Sequence, residues 1–383
     1  MVSDMDVIAG LSERVRAAAA AGRPLRLRGG GSKDFYGQAL RGELLDTAAL
    51  AGVVSYEPSE LVVTARAATP LAELEALLAA QGQCLPFEPP HFGDSSLKAT
   101  VGGMVASGLS GPARASVGAV RDYVLGVKLI NGRGEALTFG GQVMKNVAGY
   151  DVSRLMAGSM GTLGLITEVS LKVLPIAPAE ATLRFACSQA QALGWLHAWG
   201  GQPLPLNASC WVKEVADGAA TAADVGTLYL RLRGAHAAVA AACHALGGER
   251  QGAAAAAAFW RACRDQQLPW FQQRSDNQDL WRLSVPQTAP VLDLPEAPLI
   301  EWHGGQRWLR ADAQQAGQLR AAAAAVGGSA TLFIAGGARP DWAKGQFNRF
   351  DALKPPLDRI HRDLKKQFDP AGIFNPGRLS ADW

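Results

Sequence analysis

The stretch PLRLRGGGSK, Pro24 to Lys33, runs a strand-like alternation straight into three consecutive glycines. Leu25 and Leu27 alternate with Arg26 and Arg28, the two-residue period of a half-buried strand. Few folds follow a strand with three residues that carry no side chain. The spacing excludes the two common phosphate loops. A dinucleotide fingerprint needs G-x-G-x-x-G opening a helix. Gly29 and Gly31 fit, but Asp34 stands where the last glycine belongs, and DFYGQALRG is a poor helix. A Walker loop needs Gly-Lys-Ser/Thr in that order, and here Ser32 precedes Lys33. What remains is a run of backbone N–H donors beside Ser32 and Lys33. Such a run can form an anion-binding nest or a glycine-rich turn that holds no ligand. The stretch alone leaves both readings open.

Two further segments share this character. KATVGGMVASGLSG, Lys98 to Gly111, keeps Thr100, Gly102, Gly103, Ser107 and Gly108 small. A planar aromatic ligand lying against backbone needs such a floor, and so does close helix packing. GSMGTLGLIT places Gly158, Gly161 and Gly164 ahead of a strand. It reads as a ligand-approaching loop or as a plain helix-to-strand connection.

Periodicity orders the rest. Ile8, Leu11, Val15 and Ala18 share one face of a helix that Gly22 ends. Leu61 to Arg66 is strand-like. Thr69 is expected to cap the next helix, with Pro70 at its first position, Glu73 and Glu75 near its positive end, and Leu71, Leu74, Leu77 and Leu78 on one face. The proline-rich, small-residue stretch that follows reads as ordered loop with one short helix. Asn131-Gly132 between apolar runs signals a hairpin, and KNVAGYDVSRLM reads as a helix before the strand Ile166 to Leu174. From about Ile176 strands and helices alternate: Thr182–Cys187, a helix in SQAQALGWLHAW, Ala208–Lys213, Thr227–Arg233, and a helix from His236 to Leu246. That order points to an α+β layer. Strands near Leu299–Trp302 and Thr331–Ile334 flank an alanine-rich helix, Ala313–Val326, and Leu357, Ile360, Leu364 and Phe368 space a last helix that Asp369-Pro370 breaks.

At 383 residues the chain suits two domains rather than one core. With 48% hydrophobic and 19% charged residues it reads as a globular protein, and a net charge of +3 is too small to argue for nucleic acid or an anionic membrane surface. No apolar run is long enough for a transmembrane segment, and the N-terminus, with Asp4 and Asp6, carries no signal-peptide pattern. The five cysteines are Cys84, Cys187, Cys210, Cys243 and Cys263, none in a C-x-x-C pair. They read as reduced thiols of a cytoplasmic protein, with no iron–sulfur or metal site of its own.

The three glycine segments, in this order, resemble the FAD-binding domain of the vanillyl-alcohol-oxidase/para-cresol-methylhydroxylase (PCMH) type. The family's R-G-G-G-S/T, A-T-x-G-G, R-D-x-V-L-G, K-N-x-x-G-Y-D-x-x-x-L and G-S-x-G-T-L-G-x-I-T patterns recur at Arg28–Lys33, Ala99–Gly103, Arg121–Gly126, Lys145–Leu155 and Gly158–Thr167. Its C-terminal D-P-x-x-I-F-N-P-G-R recurs as DPAGIFNPGR. More narrowly, the chain resembles the FAD-binding subunits of multi-subunit bacterial glycolate oxidases, on the KNVAGYDVSRLMAGSMGTLG block, PLIEWHGGQRWL and the tail.

The resemblance implies an α+β fold. A PCMH-type FAD-binding domain with two α+β subdomains spans 1–175, an α+β cap spans 176–340, and a C-terminal segment, 341–383, returns to the FAD domain. It implies FAD held by Arg28, Gly29, Gly30, Gly31, Ser32 and Lys33 at the pyrophosphate, and by Ala99, Thr100, Gly102, Gly103 and Ser107 under the flavin. Gly161, Gly164 and Ile166 would approach the adenosine half, and Asn375 and Arg378 would come from the tail, Arg378 as a cation for the flavin N1–C2=O edge. RGGGSKDFYG holds no His or Cys, so noncovalent FAD is expected. His91 either reaches the flavin or is an exposed loop histidine.

The implied partners are a second FAD subunit and an iron–sulfur subunit of one complex, acting on a small 2-hydroxyacid such as glycolate. Any membrane association would run through those partners. The G-H-x-G-D-G-N-x-H segment of larger 2-hydroxyacid dehydrogenases is missing, and the six histidines are scattered. This favours an electron-relay or accessory flavin subunit over a self-sufficient dehydrogenase. His303 and Arg307 are the one mid-chain pair that could meet a ligand, against an ordinary strand turn packed by Trp302 and Trp308. The shared FAD fold of N-acetylenolpyruvylglucosamine reductase is a third reading, disfavoured by IFNPGRL.

Overall fold

In a computed structural model the strand before the triple glycine is real, and it lies between two other segments. The structure describes residues 4–93, 98–141, 151–213, 225–337 and 348–380; Lys145–Tyr150 of the block singled out above lie outside them. The chain divides into two units: 1–109 with 119–176 and 339–383, and 110–118 with 177–338.

In the first unit β1 (Leu25–Arg28) runs parallel to β2 (Glu43–Asp46), Leu25 opposite Glu43. On its other side the tail bonds to it: Leu25 N–H donates to Ile373 O (2.7 Å), and Asn375 N–H to Leu25 O (2.9 Å). The helix Asp4–Ala20 presents the expected face, burying Leu11, Val15 and Ala18 against Leu25, Leu45, Ile373 and Phe374. Gly22, at φ 60°, ends it as Arg23 N–H reaches back to Ala18 O.

The remaining strands are β3 (Val53–Glu57), β4 (Val62–Arg66), β5 (Gln83–Cys84), β6 (Val124–Ile130), β7 (Ala136–Gly140), β8 (Leu165–Lys172) and β9 (Leu174–Pro175). Five of them form an antiparallel sheet in the order β3-β4-β8-β6-β7, and β5 pairs with β9. The β6–β7 hairpin exists, but its loop is longer than a two-residue Asn-Gly turn. Asn131 N–H bonds Glu135 O, the Asn131 side chain accepts from Arg133 and Glu135 N–H, and Gly134, not Gly132, takes the positive φ. Gly132 is needed for another reason: a Cβ there would stand 2.5 Å from Asp369 Oδ1. The helix Leu71–Ala79 buries Leu71, Leu74 and Leu78, but Thr69 does not cap it. Its hydroxyl is already spent on Gly52, accepting from the N–H and donating to the carbonyl, each at 3.0 Å.

The second unit is one eight-stranded antiparallel sheet. Its strands are β10 (Ala179–Ser188), β11 (Leu206–Val212), β12 (Val225–Gly234), β13 (Glu249–Arg250), β14 (Asp279–Ser284), β15 (Leu299–Glu301), β16 (Gln306–Ala311) and β17 (Ser329–Ile334), in the order β13-β10-β12-β11-β15-β16-β14-β17. The first four strands, with the helices Gln189–Gly200 and His236–Leu246, trace a βαββαβ path in the order 4-1-3-2. The last four trace the same order from the far edge inward. Only the first helix is replaced, by the irregular stretch 285–298 with its four prolines. The two halves join through β11 and β15. This internal repeat was not visible in the sequence, which signalled neither β14 nor β16. Helices Gln189–Gly200 and His236–Leu246 cover Trp211, Leu228, Leu230 and Leu232 with Ala192, Leu196, Val239 and Ala242. No helix among the described residues is long and apolar enough to cross a membrane.

Candidate functional site

The first unit holds an open cleft with two adjoining compartments. Both are walled by Leu27, Arg28, Gly29, Thr100, Gly103, Ala106, Met160 and Asn375. The cleft therefore lies where β1, the helix Val101–Ser107, the loop before β8 and the tail converge.

The first wall is the triple glycine. The N–H groups of Gly29, Gly30, Gly31 and Ser32 donate to no acceptor among the described residues. Such a row of unspent donors is what an anion needs. The glycines themselves answer mainly to backbone crossing. A Cβ on Gly30 would overlap the Lys98 carbonyl, and one on Gly29 would stand 2.6 Å from Thr100 Oγ1. Gly31 has φ 77°, in the left-handed region, and lies against the Arg28 guanidinium. Arg28 Nε in turn faces Asp34 Oδ2 at 2.9 Å. Lys33 Nζ donates to His91 O (3.2 Å) and Ser32 Oγ (3.3 Å).

The second wall is the floor. Thr100 caps Val101–Ser107 by accepting from Gly103 N–H at 3.2 Å. Gly102 is required because a Cβ would meet Ala67 Cβ at 2.6 Å. Gly103 and Ser107 face the cavity as well. Ala99 does not line it; it is buried and its carbonyl accepts from Leu71 N–H.

The third wall comprises Met160, Gly161, Gly164, Leu165 and Ile166. Gly161 has φ 71°, with a would-be Cβ 2.7 Å from Asn375 Nδ2. The tail closes the site. Asn375, at φ 41°, accepts from Leu27 N–H (2.9 Å) and donates to Met160 O (2.7 Å). Arg378 is 5% exposed, and its guanidinium donates to the carbonyls of Gln38, Asp34 (2.9 Å) and Lys33 (3.4 Å). Burial lowers its pKa to about 10. It is thus neither a surface ion pair nor an unengaged cation; it shapes the 33–38 loop.

Sequence reasoning did not single out Leu27, Asp34, Leu40, Thr47, Ala67, Lys98, Ala106, Met160 and Leu165 in these walls. Leu27, Asp34, Lys98, Ala106, Met160 and Leu165 lie inside or beside the three glycine segments; Leu40, Thr47 and Ala67 reach the cleft only by tertiary packing. His91 does not line the cleft: its Nε2 pairs with Glu75 Oε2 at 2.8 Å. In the second unit Arg307 is fully buried and holds the carbonyls of Ala289 (2.8 Å), Pro290 (2.7 Å) and Gly304 (3.4 Å). It fastens the stretch that replaces the missing helix, the ordinary structural role set against a ligand site. The backbone N–H of His303 donates to Ser209 Oγ (2.9 Å), its ring Nε2 bonds Ser116 Oγ (3.0 Å), and burial lowers its pKa to about 4.

The residues present fit an FAD: unspent backbone donors for a pyrophosphate, and a floor of small side chains and glycine for a flat ring. Comparison with known proteins agrees. A family model described as an FAD binding domain matches residues 7–140. A solved structure of alkyldihydroxyacetonephosphate synthase superposes at a TM-score of 0.64 and 17% identity, over 96% of this chain and 74% of that one, which shows the shared fold. Glycolate oxidase subunit GlcD of Bacillus subtilis is 40% identical over 98 residues, 25% of this chain and 20% of that protein. Glycolate oxidase subunit GlcE of Escherichia coli is 44% identical over 382 residues, 100% of both chains. This chain belongs to the family of glycolate oxidase subunit GlcE, built on an FAD-binding domain of the vanillyl-alcohol-oxidase/PCMH type.

Proposed function

We propose that this chain is the FAD-bearing subunit of a multi-subunit glycolate oxidase that oxidises glycolate to glyoxylate, and that it serves as an electron-relay or accessory flavin subunit. The single observation that carries the site is the row of N–H donors from Gly29 to Ser32, unspent among the described residues, in the wall of the cleft. The full-length likeness to a protein named as a glycolate oxidase subunit supports the activity. FAD, when bound, supplies a two-electron acceptor, matching the two electrons and two protons that glycolate loses.

The chain's own residues bind and orient. Gly29 to Ser32 would neutralise the pyrophosphate, with Arg28 and Lys33 beside them. Thr100 to Ser107 would floor the ring, and Gly161 to Ile166 would take the adenosine half. The charged lining is Arg28, Lys33, Lys98 and Arg378 against Asp34, a cationic surround suited to a diphosphate. Asp34, the one carboxylate of the described lining, is paired with Arg28, and that lining contains no His to take a substrate proton. This favours the accessory role, with a second FAD subunit doing the substrate chemistry and an iron–sulfur subunit carrying electrons onward. The described lining contains no His, Cys or Tyr, the side chains through which some members of the wider family attach FAD, which supports noncovalent binding.

Acid precipitation of the purified, yellow protein should release the flavin into the supernatant. Anaerobic glycolate should leave the lone chain's flavin spectrum unchanged and bleach it in the assembled complex. Bleaching of the lone chain would establish the self-sufficient dehydrogenase instead, and a chain that takes up no flavin would overturn the FAD reading itself.

A further inference from the structure

The tail motif contains more than the cavity-lining Asn375. One turn before the break, on the helix Leu357–Phe368, Lys365 is 4% exposed and lines neither compartment. Its ammonium spends all three N–H donors: on Asp369 Oδ2 (2.6 Å), Phe374 O (2.8 Å) and Thr162 O (2.8 Å). Asp369 in turn accepts from Ile373 N–H (3.1 Å) and Phe374 N–H (2.7 Å). A buried lysine is costly unless paired and fully hydrogen-bonded, and this one is both.

Its third bond reaches into the loop that walls the cavity. Two tail groups grip that loop on alternate carbonyls: Asn375 takes Met160 O and Lys365 takes Thr162 O. In a trans peptide the C=O and N–H point in opposite directions. Drawing the carbonyls of 160 and 162 toward the tail therefore turns the N–H groups of Gly161 and Leu163 away from it. Neither donates to an acceptor among the described residues, and Gly161 stands in the cavity wall.

We propose that Lys365 is a positioning residue for FAD, acting through Thr162 to set the Gly161–Gly164 loop and through Phe374 to set Asn375. The proposal rests on the flavin reading above. It is tested by fluorescence titration of the apoprotein with FAD, alongside apoprotein melting. Lys365→Met removes the ammonium at similar length. Phe368→Ala, on the same helix, removes a ring contact with Phe139 and leaves the loop alone. At matched losses of apoprotein melting temperature, Lys365→Met should weaken FAD binding by roughly tenfold or more relative to wild type, and Phe368→Ala by less than about threefold. Lys365→Gln keeps one donor for Thr162 O and should fall between. Should Lys365→Met not fold, the glutamine variant decides: a weaker FAD constant with unchanged melting supports the role. Equal weakening in Lys365→Met and Phe368→Ala, or an unchanged constant in a folded Lys365→Gln, overturns it while leaving the flavin reading intact. A wild-type chain that binds no FAD overturns both.

Discussion

Asn375 offers a test that separates lost hydrogen bonds from backbone strain at one position. Its amide satisfies two backbone groups on two different segments, the half-buried Leu27 N–H and the buried Met160 O, while its own backbone sits at φ 41°. Asn375→Ala leaves both groups unpaired, at about 1–3 kcal/mol each. It also places a Cβ residue less tolerant of the left-handed region there, adding about 1 kcal/mol. The expected loss is roughly 3–7 kcal/mol for the first unit. Asn375→Gly loses the same bonds but not the strain, so it should be about 1 kcal/mol more stable than the alanine variant. Asn375→Asp keeps an acceptor for Leu27 N–H but faces the Met160 carbonyl with a second acceptor.

A global melting curve for a chain of two units does not show where the opening occurs. Hydrogen exchange read on peptides covering Leu25–Arg28 and Met160–Leu165 reports the local opening directly. Protection should fall in both peptides in the alanine and glycine variants, most in alanine, and at Met160–Leu165 in the aspartate variant. An alanine variant as protected as glycine would refute the strain argument. Unchanged protection at Met160–Leu165 would refute the claim that the tail holds this loop.

Two further outcomes follow from single atoms. Gly30→Ala puts a methyl group into the Lys98 carbonyl, backbone against backbone with no flexible end to yield. It should cost about 1–3 kcal/mol by displacing the 98–100 segment and should weaken FAD uptake, measured by equilibrium dialysis; a neutral effect would show that the crossing is looser than drawn. His303 is held neutral in the folded chain, its pKa lowered to about 4 by burial. Between its ordinary value and that one, the unfolded chain binds the extra proton. Its contribution is therefore present above about pH 6.5 and is lost as pH falls toward 4, by up to about 3 kcal/mol. His303→Asn, which tolerates φ 54°, should flatten that part of the urea-midpoint profile, and an unchanged slope would argue that His303 titrates normally.

Much of the first unit could be read from local pattern because its signals are local. A strand ending in three glycines, a small-residue helix and a glycine loop before a strand each announce themselves within a few residues. The helix faces at Leu11, Val15 and Ala18 and at Leu71, Leu74 and Leu78 follow from the 3.6-residue period alone. The tail helix shows the limit of that rule. Its apolar spacing suggested a buried stripe, yet Leu357 and Ile360 are 52% and 43% exposed while Lys365 is buried. Periodicity counts side-chain polarity, and it does not see that three oxygens from distant segments can make a buried ammonium tolerable.

The sequence by itself determined which residues could stand close to a ligand, because only residues without bulk allow backbone approach, and most of the helices, but not strands such as β14 and β16. The tertiary structure decided why the glycines are needed, since the neighbour that forbids a Cβ at Gly30 is Lys98, far along the chain. It also decided the roles of the cations. The sequence offered both Arg378 and Arg307 as cations that could meet a ligand, and both are spent on carbonyls of their own unit. The two joined βαββαβ halves lay beyond local reading for the same reason. Strand order is set by pairing between distant segments, such as Cys210 of β11 opposite Glu301 of β15, and that pairing leaves no local trace in composition or spacing.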